Sequence, residues 1–203
     1  MQTLTIQGML AFYPDRQTHS MVTRLVRLAH SSWRPSLLAP VARSFIEALA
    51  AEVGEAVHLA QFDNGHLLFV DKCKATADVE TLAQAGKITL GYCTGVGKAI
   101  LASMLRVEQN HALEQQSYVV YTPFTLTSRS ALVERLTIIE TNSVVYDREE
   151  HEQGIISIAS PILTISGRAI GALSIATSTN RHTIEELEKH RSSLPNSTKS
   201  IGI

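Results

Sequence analysis

The 203-residue chain has only two cysteines, Cys73 and Cys93, set apart without CxxC spacing and with no signal-peptide pattern upstream. Unpaired thiols follow, and with them a reducing, cytoplasmic location. No run of about 18 apolar residues occurs, which excludes a membrane-spanning helix. His58, His66, His111, His151 and His182 are scattered, without HxxxH or HxH spacing, so neither a metal nor another cofactor is expected. The formal net charge is −1, and bulk electrostatics therefore give no sign of a nucleic-acid binder. Repeats and low-complexity tracts are absent as well.

What is present is a 44% hydrophobic content, enough for one substantial core or one domain with a smaller appendage. Up to Ile46 the chain carries Arg16, Arg24, Arg27, Arg34 and Arg43 against Asp15 alone. That asymmetry fits either a segment near something anionic or a solvated helix face. Leu4 and Ile6 precede Gly8 and an extended apolar run closed by Pro14, which predicts a helix end, a glycine stop and a short strand. Met21, Val22, Leu25, Leu28 and Ala29 then share a helical stripe over 18–33, ended by Arg34-Pro35. Ser36 caps a second predicted helix with Val41, Phe45, Leu49 and Val53 as its buried stripe and Gly54 as its stop. Ala56–Phe62 and His66–Lys72 flank Asp63-Asn64-Gly65, a strong hairpin signal. Further helices are expected after Gly97, over 106–115, after Ser128 or Ser130, and from the capping box Thr183-Ile-Glu-Glu186. Helices interleaved with hairpins favour an α+β domain with an antiparallel sheet.

The segment Tyr146–Ala176 carries the most information. With Ser166-Gly167 as a two-residue turn, Ile165 pairs with Arg168, Ala159 with Ser174 and Ser157 with Ala176. Ile155, Ser157, Ala159, Ser174 and Ala176 then share one small, partly polar face, and Ile156, Ile158, Leu173 and Ile175 share a greasy one. The greasy face should bury against helices. The other leaves room and hydroxyl groups for a ligand, or holds serines that only satisfy backbone groups. A bulge at Pro161 would exchange the two faces.

Two other features invite chemistry. Gly95-Val96-Gly97-Lys98 lacks both the spacing and the following hydroxyl of a phosphate-binding loop. It reads instead as a glycine-bearing helix start, suited to a small anion or to close backbone packing. Asp147, Glu149, Glu150, His151 and Glu152 form a charged run with no nucleophile beside it. The three glutamates are expected to be solvated or to lie in a helical turn, while Asp147 is placed to face inward.

Several of these segments together resemble the IclR-type bacterial transcriptional regulators over nearly the whole chain. They are Gly8-Met-Leu, Tyr13-Pro-Asp, the stripe Met21–Leu28, Val57-His-Leu-Ala with Asp63-Asn-Gly, Thr94–Ala102, Thr125-Leu-Thr127, and Asp147–Gly154 on to Ser174. The resemblance implies a remnant of a winged helix-turn-helix at 1–17, a linker helix at 18–35 and an effector-binding, GAF-like domain at 36–203. Most of the DNA-reading module has no counterpart before Met1. Also implied are a small carboxylate or aromatic-acid effector, DNA as partner of the full-length regulator, and a homodimer or tetramer. By position, the ligand-binding residues would be Gly95, Val96, Asp147, Ile155, Ser157, Ser174 and Ala176. Some members of the family carry cysteine at the position of Ser157 and a second serine at that of Ala176, so one hydroxyl is lost here and a less polar ligand is expected. Two other functions compete: a dimerisation module without ligand, burying Met21, Leu25 and Leu28, and a small acid/base enzyme using Asp147.

Overall fold

The computed structural model describes residues 2–25, 27–28, 38–63, 66–74, 81–139 and 144–202. They fall into two units, Met1–Leu38 and Ala39–Ile203. In the first, helix α1 (Gln2–Ile6) stops at Gly8, whose φ of +63° closes the turn, and strand β1 (Leu10–Tyr13) follows. A short 3-10 turn over Pro14–Arg16 and a left-handed Gln17 reverse the chain. Strand β2 (Thr18–Met21) then pairs back on β1, Tyr13 facing Thr18 and Leu10 facing Met21.

This corrects the expected helix from residue 18. The reversal at Gln17 gives the β-branched Thr18 and its neighbours a strand partner, and Met21 is left 78% exposed rather than on a buried stripe. Residues 23–25 and 27–28 are helical. The expected stop at Arg34-Pro35 and the cap at Ser36 lie outside the described residues.

The second unit opens with α2 (Leu38–Val53). Its buried side is formed by Ala42, Ile46, Leu49 and Ala50, whereas Val41 is exposed. The expected stripe was rotated because alanines, which bring a helix close to its neighbours, count toward the apolar face. Six antiparallel strands follow: β3 (Ala56–Asp63), β4 (His66–Cys73), β5 (Ile88–Thr89), β6 (Val145–Arg148), β7 (Ile155–Leu163) and β8 (Ala169–Ser178). Their order across the sheet is β5-β4-β3-β8-β7-β6. The α+β architecture with an antiparallel sheet is thus the one the sequence pattern predicts. Among the described residues no helix is long and apolar enough to cross a membrane.

The β7–β8 register agrees with the pairing arithmetic, Ser157 facing Ala176 and Ala159 facing Ser174, but for a different reason. The loop has three residues, not two. Thr164 faces Arg168, donating its amide to the Arg168 carbonyl at 2.9 Å, and Gly167 occupies the left-handed position at φ +81°. Ile165 therefore has no partner at Arg168. The one-residue offset is cancelled because Ile162 pairs with Gly171 and Leu163 with Ala169, leaving Ile170 as an unpaired bulge. The predicted face pattern survives because two departures compensate.

On the small-residue face, helix α3 (Gly95–Ala102) packs directly over β7 and β8. Val96, Ala99 and Ile100 join Ala60, Phe69, Val145, Ala159 and Ala172 in one buried cluster. On the opposite side of α3, Leu101 meets Leu113 and Leu132 from α4 (Arg106–Glu114) and α5 (Arg129–Ile138). The chain closes with α6 (Ile184–Leu187), started by the predicted capping box at Thr183, and α7 (Ser193–Ile201).

Glycine makes the seating of α3 possible. A methyl group on Gly97 would overlap the Cα and carbonyl oxygen of Gly91, which cannot move aside without shifting the backbone, whereas one on Gly95 would meet the rotatable Ser157 Oγ at 2.9 Å. Gly97→Ala is therefore expected to lose about 3 kcal/mol or more of stability and Gly95→Ala about 1 kcal/mol. Urea denaturation checks the order; equal midpoints for the two variants would refute this account of α3.

Candidate functional site

At the start of α3, Thr94 Oγ1 accepts the Gly97 amide at 3.2 Å and the Thr94 carbonyl accepts the Lys98 amide at 3.0 Å. The amides of Gly95 and Val96, in the first turn, have no partner within their own helix and carry the positive end of its dipole. They sit over the small-residue face of the sheet. There the register puts Asp147 beside Ser157, Ser157 beside Ala176, and Ser174 beside both Ala159 and His58. All seven residues expected at a ligand site, Gly95, Val96, Asp147, Ile155, Ser157, Ser174 and Ala176, line a single cavity of about 40 Å³. That volume holds a few water molecules rather than an aromatic ring.

Local pattern did not point to the rest of the lining: His58, Phe69, Thr81, Ala83, Thr94, His151 and Glu152. His58 and Phe69 arrive because β3 lies beside β8, a pairing between segments more than a hundred residues apart. One signal was available, since His58 is the one ionisable side chain among the buried residues Ala56–Ala60 of β3. Its Nε2 lies 3.1 Å from Thr81 Oγ1, and its ring meets Phe69 edge-on at 5.9 Å between centroids. Burial, aided by the nearby Lys72 charge, pushes the His58 pKa down to about 3, so the imidazole is neutral.

Asp147 is buried, and its Oδ1 accepts the Glu150 amide at 2.9 Å. Burial pushes its pKa up to about 7, with Lys98 opposing the rise and Glu150 adding to it. Near neutrality it can therefore donate or accept a proton-bearing hydrogen bond inside the cavity.

The acidic run is not a solvated face. Glu150 is only 3% exposed, and one of its oxygens accepts from Lys98 Nζ, itself wholly buried on α3. Lys98 also donates to the Tyr146 carbonyl at 2.7 Å. Glu150 Oε2 is buried without a hydrogen-bond partner. Glu149 holds the left-handed φ of +63° and accepts the Gly154 amide at 2.7 Å, while Glu152 accepts the Leu82 amide at 2.8 Å. The hydroxyls of Thr122 and Thr125 donate to the carbonyls of Glu149 and Glu150. These acids therefore organise the loop after β6, and the expectation of solvated side chains failed because the groups that satisfy them come from distant segments.

Residues 35–202 match the family model for the C-terminal part of the bacterial transcriptional regulator IclR. The chain is 27% identical over 194 residues to the HTH-type transcriptional regulator XynR of Escherichia coli K12, covering 96% of this chain and 77% of that protein. Its fold is similar to the crystal structure of the Thermotoga maritima IclR protein, with a TM-score of 0.82, 24% identity, and coverage of 99% and 81% of the two chains. It is also similar to the inducer-binding domain of a double mutant of the PobR transcription factor of Acinetobacter, in complex with 3-hydroxybenzoic acid. There the TM-score is 0.71 and the identity 25%, covering 81% of this chain and 97% of that one.

Two predictions follow from the buried charges. Lys98→Met strands Glu150 without its cation and should cost about 3–5 kcal/mol, whereas Lys98→Met with Glu150→Gln should cost clearly less. A thermodynamic cycle from urea denaturation measures the coupling, and simple additivity would show that the ion pair contributes nothing. The titrations give the second prediction. The folded-state pKa of Asp147 lies above its unfolded value, so its contribution is complete at low pH and is lost as pH rises from about 4 to 7. The folded-state pKa of His58 lies below its unfolded value, so its contribution is complete above about 6.5 and is lost as pH falls toward 3. The two slopes oppose each other between about pH 4 and 6.5. Relative to the unmodified protein, Asp147→Asn should gain stability as pH rises through this window and His58→Gln should lose it. Parallel stability profiles for all three proteins would refute both assignments.

Proposed function

This chain belongs to the IclR family of bacterial transcriptional regulators, and on that premise we propose that residues 36–203 sense a small organic acid in the cavity between α3 and the β7–β8 face. The helix Gln2–Ile6 and the hairpin Leu10–Met21 correspond in this reading to the recognition-helix end and the wing of a DNA-reading module. DNA is the partner of the full-length regulator, and the working assembly is a homodimer or tetramer in the cytoplasm.

The supporting observation is that the first-turn amides of α3, a buried carboxyl and two hydroxyls converge on one small cavity. A ligand carboxylate is best placed on the Gly95 and Val96 amides, where the helix dipole favours negative charge. Asp147, with its pKa near 7, then serves as a neutral donor beside it. Ser157 and Ser174 supply hydroxyls to a further polar group of the ligand. The complex of the PobR domain with 3-hydroxybenzoic acid makes hydroxybenzoates the first chemical class to test.

Cavity size supplies the mechanism. About 40 Å³ is far below the roughly 300 Å³ of ordinary ligand pockets, so an aromatic acid binds only a widened state. A ligand with that preference shifts the population toward the widened state, and a shape change in the sensing domain is what an attached DNA reader requires.

Differential scanning fluorimetry and calorimetry with hydroxybenzoates and smaller monocarboxylates test the proposal. At least one acid should raise the melting temperature as its concentration exceeds its Kd, and Ser174→Leu, which fills the cavity floor, should abolish that rise. A confirmed acid that binds Ser174→Leu unchanged would place the site elsewhere.

A further inference from the structure

Asp147 lies where an anion bound at the start of α3 presses on it. A methyl group built on Gly95 would lie 2.9 Å from Ser157 Oγ and 3.6 Å from Asp147 Cβ, so the first turn of α3 rests directly on this cross-strand pair. Asp147 Oδ1 is committed to the Glu150 amide. Its Oδ2 has no hydrogen-bond partner among the described residues. The cation acting on Asp147 is Lys98 of α3, which is already bonded to Glu150 and to the Tyr146 carbonyl. Glu150 and Glu152, on the loop after β6, act in the opposite sense. In the turn before α3, burial together with Asp147 and Glu150 pushes the Cys93 thiol up to about 12, so it stays uncharged. His58 of β3 and His151 of the loop share the cavity, and burial lowers both from the usual 6.5.

We propose that the site binds its effector together with a proton: Asp147 takes up one proton from solvent as a monocarboxylate settles on the Gly95 and Val96 amides, so the domain responds to the acid and to acidity jointly. The inference rests on reading the cavity as the effector site. An ionised Asp147 and a ligand carboxylate would be like charges sharing one buried space, with Lys98 already paired, and such a pair does not ionise fully. The proton goes to Asp147 because its carboxyl already titrates at about 7, whereas an ordinary organic acid titrates near 4. Protonated Oδ2 can then donate to the ligand carboxylate, which turns repulsion into a charge-assisted hydrogen bond. Below pH 7 the free carboxyl holds the proton and affinity is flat. Above pH 7 affinity falls by up to about tenfold per pH unit, until the carboxyl of the complex titrates in turn. A neutral amide of the same shape adds no charge and draws no proton. His58 and His151 would take up protons only in the acid range, so the pH window separates them from Asp147.

Benzoate, 3-hydroxybenzoate and neutral benzamide serve as probes in amide NMR titrations of the 203-residue chain, with Ser157 and Ser174 reporting on the cavity. From pH 6.5 to 8.5 the affinity for both acids should fall by about tenfold or more, and any affinity for benzamide should not change. Calorimetry of the unmodified protein at pH 8 in HEPES and in Tris, buffers of different ionisation enthalpy, should report uptake of close to one proton per acid bound. Asp147→Asn should abolish that uptake and flatten the pH profile. Acids that perturb Ser157 and Ser174 with equal affinity at both pH values and exchange no proton would overturn the coupling while leaving the effector site standing. Proton uptake that persists in Asp147→Asn would overturn the assignment to Asp147. Failure of both acids to perturb Ser157 and Ser174 at pH 6.5 in the unmodified protein would overturn the coupling together with the reading of the cavity.

Discussion

The ion pair between Lys98 and Glu150 joins the two halves of the candidate site. Lys98 comes from α3 and Glu150 from the loop after β6, and neither side chain reaches solvent. Burying two charges is favourable only when each has strong partners; Lys98 gains a second in the Tyr146 carbonyl. The position of that ammonium group fixes the separation between α3 and the β6 edge. It also fixes the Asp147 environment, because Asp147 Oδ1 holds the amide of the same Glu150. One contact therefore sets both the geometry of the cavity and the proton affinity of its carboxyl group.

Close approach of backbone is the second constraint. Gly97 rests on Gly91, and Gly95 rests near Ser157 and Ala159, so α3 lies nearer to the sheet than ordinary side chains would allow. The small residues of β7 and β8 serve that approach as much as they make room for a ligand. Helix packing leaves only a narrow remainder of space, which is why the cavity is small.

The sequence was most legible where the determinants are local. The capping box at Thr183, the Ser128 cap, the glycine stops at Gly8 and Gly54 and the strand faces of β7 and β8 each depend on residues a few positions apart. Of the positions that line the cavity, Ile155, Ser157, Ser174 and Ala176 were singled out by strand pairing and by family resemblance alike, whereas the resemblance named Gly95 and Val96 as the specific amides. What local reasoning missed came from pairings that close late in the fold. His58 enters because β3 joins β8, Glu150 is buried because Lys98 waits on a helix about fifty residues earlier, and Glu152 finds its partner at Leu82. Thr18–Met21 failed in the opposite direction, because a helical stripe extended backward across a reversal that a single left-handed Gln17 creates.

The three-residue loop and the unpaired Ile170 in the β7–β8 hairpin carry a consequence for the evolution of this scaffold. Each alone would put the strands one residue out of step, and together they restore the alignment that puts Ser157, Ser174 and Ala176 on the inner face. Hairpin length and bulge are therefore coupled through the register they share. A lineage can shorten the loop only if it also sheds the bulge, and an intermediate with one change turns every inward side chain of the distal strand to the wrong face. Indels at this tip are constrained by a compensating position several residues away, although the tip residue Ile165 is almost fully exposed and any substitution there would pass without notice.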